Sequence, residues 1–152
     1  MKAKKTTRIG RTDFLIKLVT VYKNEADKCG EARAYLAGSI VLGTAVEAGL
    51  LAMFKLYPYQ AKTSQTYQQE KSRNNKKFPY SLDLFHLNKI ALELGWLTPQ
   101  LGKIVDDVRE IRNLVHPGKH VLTKKGVRIS KRHYESSYKK AERVFTYLVT
   151  QL

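Results

Sequence analysis

The sequence predicts an all-α protein, a helical bundle of about five helices with room for a short β-hairpin before the last one. Three observations carry that prediction. Apolar residues recur at three- and four-residue spacing through most of the chain. The stretch YLAGSIVLGTAVEAGLLAMF holds a single charge, Glu47, as a helix contacted on every side would. Ser, Thr, Pro and Gly stand where helices start and stop. At 152 residues the chain is one domain, 1–152, long enough to bury a core.

Each element has its own signal. Phe14, Leu15, Leu18, Val19 and Tyr22 mark a first helix over about 12–28, which Gly30 breaks. The near-uniformly apolar second helix covers about 31–57 and ends at Pro58. Residues 59–80 are Gln-, Ser-, Asn- and Lys-rich with isolated aromatics and no period, and read as a polar basic loop. Ser81 is placed to cap a third helix carrying Leu82, Phe85, Leu87, Ile90, Ala91 and Leu94, with Gly95 as its stop. Thr98 and Pro99 open a fourth, whose stripe is Leu101, Ile104, Val105, Val108, Ile111 and Val115. VLTKKGVRIS alternates around Lys125-Gly126, the hairpin signal. The last helix, about 131–152, buries Tyr134, Tyr138, Ala141, Val144, Phe145 and Leu148.

Charge narrows the function classes. Twenty-eight Lys and Arg against 13 Asp and Glu leave a formal +15, gathered in clusters. An acid-free basic arm occupies 1–11; Lys62, Lys71, Arg73, Lys76 and Lys77 fall in or beside the polar loop; a third cluster runs from Lys119 to Arg143. Such a field attracts polyanions, and nucleic acid leads among them, although any one cluster reads equally well as a solvated surface. Cys29 is the lone cysteine, which excludes an intrachain disulfide framework and fits a reducing, cytoplasmic setting. The basic N-terminus lacks a following signal-type apolar run, so secretion is not indicated. The Tyr35 to Phe54 stretch is long enough to cross a bilayer, but a central Glu47 and cationic flanks at Arg33 and Lys55 argue for a buried helix and no membrane.

The most informative stretch is VREIRNLVHPGKH, residues 108–120. On a helix, Arg109, Arg112 and His116 are spaced seven and four apart from the histidine and project on one side, next to the apolar stripe. Pro117 and Gly118 end the helix there, so a cationic C-terminus that interacts with exposed carbonyls, with Arg109 paired to Asp106, explains the same residues without any activity. No H-x-x-x-H or similar cluster points to a metal site or any other cofactor. His86 reads as a packing or local hydrogen-bonding residue.

VREIRNLVHPG, preceded by VLGTAVEAGLL with its internal Glu47 and by FHLNKIALELGWLT, resembles the HEPN superfamily, whose four-helix cores carry an Arg, four to six residues and a His. Arg109 to His116 falls within that spacing, whereas Arg112 to His116 falls short of it. The polar residue that often follows the family's Arg is here Asn113, after Arg112, while Arg109 is followed by Glu110, so the two arginines share the claim. The resemblance implies metal-independent RNA cleavage by a homodimer in which two motifs meet, of toxin or defence type, with an antitoxin or other regulatory protein as a further partner. It implies catalytic roles for Arg109, Arg112, Asn113 and His116; Glu47, as a carboxylate on an apolar helix, needs a partner if buried and is expected to pair with Arg109 or Arg112. Lys119, His120, Lys124, Lys125, Arg128, Lys131 and Arg132 are the expected RNA contacts. The alternative is a non-catalytic RNA-binding or dimerising module on the same fold.

Overall fold

The computed structural model describes residues 8–73, 75–115 and 128–151, the first five by backbone alone, and every regular element among them is a helix. There are seven: α1 Arg8–Glu31, α2 Tyr35–Leu56, α3 Pro58–Ala61, α4 Gln65–Ser72, α5 Leu84–Glu93, α6 Pro99–Asn113 and α7 Lys131–Thr150. The all-α expectation holds, with two more helices than the sequence suggested. The expected hairpin falls mainly on 121–127, outside the described residues.

Helix α2 is the hub. It packs against α1, α5, α6 and α7, and Leu42, Ala45, Val46 and Leu50 are shut off from solvent. By length and composition it would also span a membrane, yet more than half of its most apolar window is covered by the other helices. Burying side chains of this size removes roughly 1.5–3 kcal/mol of exposed apolar surface each, which is why a helix with little amphipathic pattern sits at the centre.

The first turn is made differently from the expectation. Gly30 does not break α1; it lies inside the helix, because the Tyr134 ring occupies the space its side chain would need, with a built Cβ only 2.7 Å from Tyr134 Cε1. Gly38 does the same from α2, at 2.6 Å from Tyr134 Cε2, and the Tyr134 hydroxyl donates to the Ala26 carbonyl at 2.6 Å. The chain reverses instead at Arg33, which takes a left-handed φ of 60°. At the other end, 8–11 of the expected basic arm belong to α1.

The expected loop 59–80 contains α3 and α4. Ser64 caps α4 by accepting from the Tyr67 N–H at 3.0 Å, and the Glu93 carboxylate of α5 accepts from Ser64 Oγ at 2.5 Å, from the Thr66 N–H at 3.2 Å and from the Thr66 hydroxyl. Tyr67 inserts between Phe54 and Phe78, and Trp96 meets Phe54 edge-on. None of these anchors is periodic in sequence, so a helix of eight residues held by one ring and a distant carboxylate escaped pattern reading.

The remaining boundaries follow their caps. Asp83, not Ser81, caps α5, accepting from the His86 N–H at 2.9 Å; both residue types are good caps, and the chain uses the later one. Thr98 with Pro99 opens α6 as expected, and Ser130, which reads in sequence as the end of the hairpin segment, caps α7 by accepting from the His133 N–H at 3.2 Å. Gly95 ends α5 at φ 71°. Three expected core residues are exposed: Phe14 at 59%, Phe85 at 44% and Val115 at 42%. Helices α6 and α7 run antiparallel, tied by Lys140 Nζ to Asp107 Oδ2 at 2.9 Å.

Burial opposes the Glu93 charge, but hydrogen bonds from Ser64 and Thr66 and the nearby Lys89 hold its pKa below the usual 4.5. With the folded value the lower one, the carboxylate's contribution to stability is complete above pH 4.5 and disappears as pH falls through the folded value. We predict that Glu93→Gln at neutral pH weakens α4 by about 1 kcal/mol. Hydrogen exchange should quicken over 65–72 and stay unchanged in α2; identical exchange in both proteins would mean that α4 does not rest on Glu93.

Candidate functional site

The C-terminal end of α6 carries the site residues that the structure describes. Arg109, Arg112 and Asn113 occupy its last two turns, because Val105 and Val108 on the adjacent face are drawn into the core and leave the polar residues at its edge. His116 lies outside the described residues, as do Lys119, His120, Lys124 and Lys125.

Arg112 and Glu47 form the central contact. The Arg112 stem crosses α2 at Gly43, where an added Cβ would touch Arg112 Cδ at 3.5 Å and Val108 Cγ1 at 3.5 Å. One turn further along α2, the Arg112 guanidinium donates through Nη1 to Glu47 Oε2. Gly43 and Glu47 are four apart and share a face, so one helix face provides both the groove for the stem and the acceptor for the head group. The pair is partly covered, with side-chain exposures of 22% for Glu47 and 36% for Arg112. Of the two arginines that could have met Glu47, Arg112 does.

Arg109 is held elsewhere. Its guanidinium stacks over the Phe85 ring of α5 at 5.2 Å, Nη2 lies 3.1 Å from Glu110 Oε1, and Nε lies 3.5 Å from Asp106 Oδ1. The Nε atom is buried and makes no hydrogen bond among the described residues. Phe85 is exposed because its ring serves as the platform for this arginine, a role that its place in an apolar stripe did not reveal. Asn113 is half-buried at the last position of α6.

Next to Phe85, His86 forms a small polar cluster missed by sequence reading except as a local hydrogen bond. His86 Nδ1 is 2.7 Å from Asp83 Oδ1 and Nε2 is 3.3 Å from Glu70 Oε1, and Arg73 Nη2 reaches the same Glu70 oxygen at 3.4 Å. Burial pushes the Asp83 carboxyl up, but the His86 hydrogen bonds and the charges of His86 and Arg109 bring it below the ordinary carboxylate value. The cluster ties α4 to α5 and to the Arg109 end of α6. Among the described residues no group of three His, Cys, Asp or Glu side chains is arranged to hold a metal ion.

The other expected RNA contacts are on the surface. Arg128, Lys131 and Arg132 are all exposed around the start of α7, where Lys131 Nζ approaches Glu135 Oε1 at 3.8 Å. Cys29 is a free, half-buried thiol.

Comparison of the chain with protein-family models, with curated proteins and with solved structures finds no match.

The exposure of the Glu47–Arg112 pair places its strength between that of a surface pair and a buried one. We predict that Glu47→Gln and Arg112→Gln each lower the unfolding free energy by about 1–2 kcal/mol, with a coupling of about 1 kcal/mol in the double-mutant cycle. Urea unfolding measures all three; additive single effects would refute the pairing as a source of stability.

Proposed function

We propose that the protein is an RNA-directed HEPN-type domain that cuts RNA without a metal ion and works as a homodimer in the cytoplasm. The observation that carries this reading is the Arg112–Glu47 pair, which anchors the end of α6 to the central helix within four residues of His116 and leaves Arg109 one turn earlier on the same flank. An anchored helix end is what a motif at that end needs, because proton transfer and phosphate recognition both depend on fixed distances.

RNA cleavage requires a base for the 2′-hydroxyl proton, an acid for the leaving 5′-oxygen and positive charge beside the phosphate. An imidazole can give or take a proton, which suits His116 to either proton-transfer role, with His116 of a second copy as its complement. The arginines divide the remaining work. Arg112 is committed to Glu47 and acts as a positioning residue, while Arg109 has the family's spacing and, among the described residues, pairs with Asp106 and Glu110, whose side chains are half exposed. A guanidinium offers forked donors to two phosphate oxygens at once. Asn113 orients the phosphate or His116. The 2′-hydroxyl nucleophile makes RNA, and not DNA, the substrate. A protein of this kind fits a toxin or defence effector restrained by an antitoxin or another regulatory partner.

A second reading draws on Asp106 and Glu110, which already neutralise Arg109. In that case the domain binds RNA or dimerises without cutting, and the formal +15 does the binding.

The test is incubation of wild type and His116→Ala, matched for oligomeric mass, with mixed RNA in EDTA. Wild type should release fragments ending in 2′,3′-cyclic phosphate, and the variant should lose activity by roughly 100-fold or more. RNA left intact by wild type but retained in a salt-sensitive complex would select the second reading.

A further inference from the structure

The last helix carries a stripe of which only Arg132 is among the expected RNA contacts. Arg132, Lys139, Arg143 and Tyr147 are spaced seven, four and four apart, so all four fall on one face of α7 and span about 22 Å along it. The three cations are exposed, and none of them joins an ion pair among the described residues. Neighbouring charges are already engaged: Lys140 binds Asp107, Lys131 approaches Glu135, and Glu142 faces Lys23 at 3.5 Å. The stripe is therefore the unneutralised part of the helix.

Its distal half is also the wall of a groove. Helices α6 and α7 splay apart to leave a volume of about 690 Å³, lined by Thr98, Gln100 and Leu101 on one side and by Lys139, Arg143 and Tyr147 on the other. Most of its lining is apolar or uncharged and hydrogen-bonding, and the carboxylate that reaches it, Glu142, is the one facing Lys23. Tyr147 is half-buried against the core, which fixes its ring in the groove wall. Cations that follow a strand's phosphates, followed by a fixed aromatic ring on which a base can stack, match the chemistry by which single strands are held.

We propose that the α6–α7 groove and the α7 stripe form a track for single-stranded RNA, separate from the proposed cleavage site and leading along the antiparallel α6–α7 pair toward it. Lys139 and Arg143 neutralise consecutive phosphates, Tyr147 stacks one base, and Arg132 continues the track toward the start of α7. A base must be unpaired to stack on Tyr147, so the track selects single-stranded segments. The identity of the polyanion as RNA rests on the proposed function; the location of the track rests on α7 and the groove alone.

The test measures binding of a fluorescein-labelled 12-nucleotide RNA in the His116→Ala background by anisotropy across a salt series. Lys139→Ala/Arg143→Ala should weaken binding by tenfold or more and make the logarithmic salt dependence shallower by about 1.4, the value for two phosphate contacts to a single strand. Lys17→Ala/Lys89→Ala, which removes two exposed charges from α1 and α5, should change affinity less than threefold. Tyr147→Leu should weaken binding about fivefold or more without altering the salt slope. Equal losses in the two double variants would mean that total charge does the binding, and would overturn the track. Normal binding by Lys139→Ala/Arg143→Ala, or preference for a duplex of the same length, would overturn it too. Cleavage by wild type with normal binding in that variant sinks the track and leaves the proposed function standing. Groove-dependent binding without cleavage does the reverse.

Discussion

A carboxylate on an otherwise apolar central helix is the constraint around which the rest of this molecule is arranged. Glu47 cannot be enclosed as an unpaired charge without a cost of several kcal/mol, so α2 must present it where a cation can reach. The cation comes from α6, where the Arg112 stem passes Gly43, one turn before Glu47, and the guanidinium donates to the carboxylate. The contact ties the end of α6 to the middle of α2, while Gly38 seats the start of α2 against the Tyr134 ring of α7.

The same economy of anchoring appears at the periphery. Helices α3 and α4 have almost no apolar face, yet they are ordered against the core by Tyr67 stacked on Phe54, by the Trp96 indole N–H donating to Gln60 Oε1 of α3 at 3.0 Å, and by Glu93, which serves as a remote acceptor for the start of α4. Beyond them, the Asp83–His86–Glu70 chain links α4 to α5, and Arg109 on Phe85 links α5 to α6. A continuous line of polar and aromatic contacts therefore runs around the outside of the bundle and ends at the proposed site.

What could be read from the chain and what could not divides along the range of the interactions. Helices whose signals are local were legible: the Thr98-Pro99 start of α6 and the Gly95 stop both act within one turn, and the stripes of α6 and α7 declare themselves by period. The Glu47 need for a partner was legible too, as a physical necessity, but its choice of Arg112 was not, because Arg109 is drawn away by the Phe85 ring of α5, a contact with no local signal. Long-range contacts were invisible. Glu93 lies 27 residues from the Thr66 it caps, and nothing in QTYQQEKS announces that partner. Gly30 was misread for a related reason: a glycine in a helix is a breaker unless something occupies the space it leaves, and the occupant is Tyr134 from the far end of the chain. Position 116, on which the proposed chemistry turns, lies outside the described residues.

Tyr134 deserves a last consideration for what it implies about the history open to this fold. Its ring is clasped by two positions, 30 and 38, at which only a hydrogen atom fits, and its hydroxyl is spoken for by the Ala26 carbonyl. No one of the three residues can drift alone: a side chain at 30 or 38 collides with the ring, and a smaller residue at 134 opens a void in the angle between α1 and α2. The three positions form a lock that changes only in concert. Two glycines eight apart across a helical turn, with a tyrosine about a hundred residues downstream, make a geometric fingerprint by which distant chains with this arrangement can be sought even where their surfaces and charges share nothing with this one.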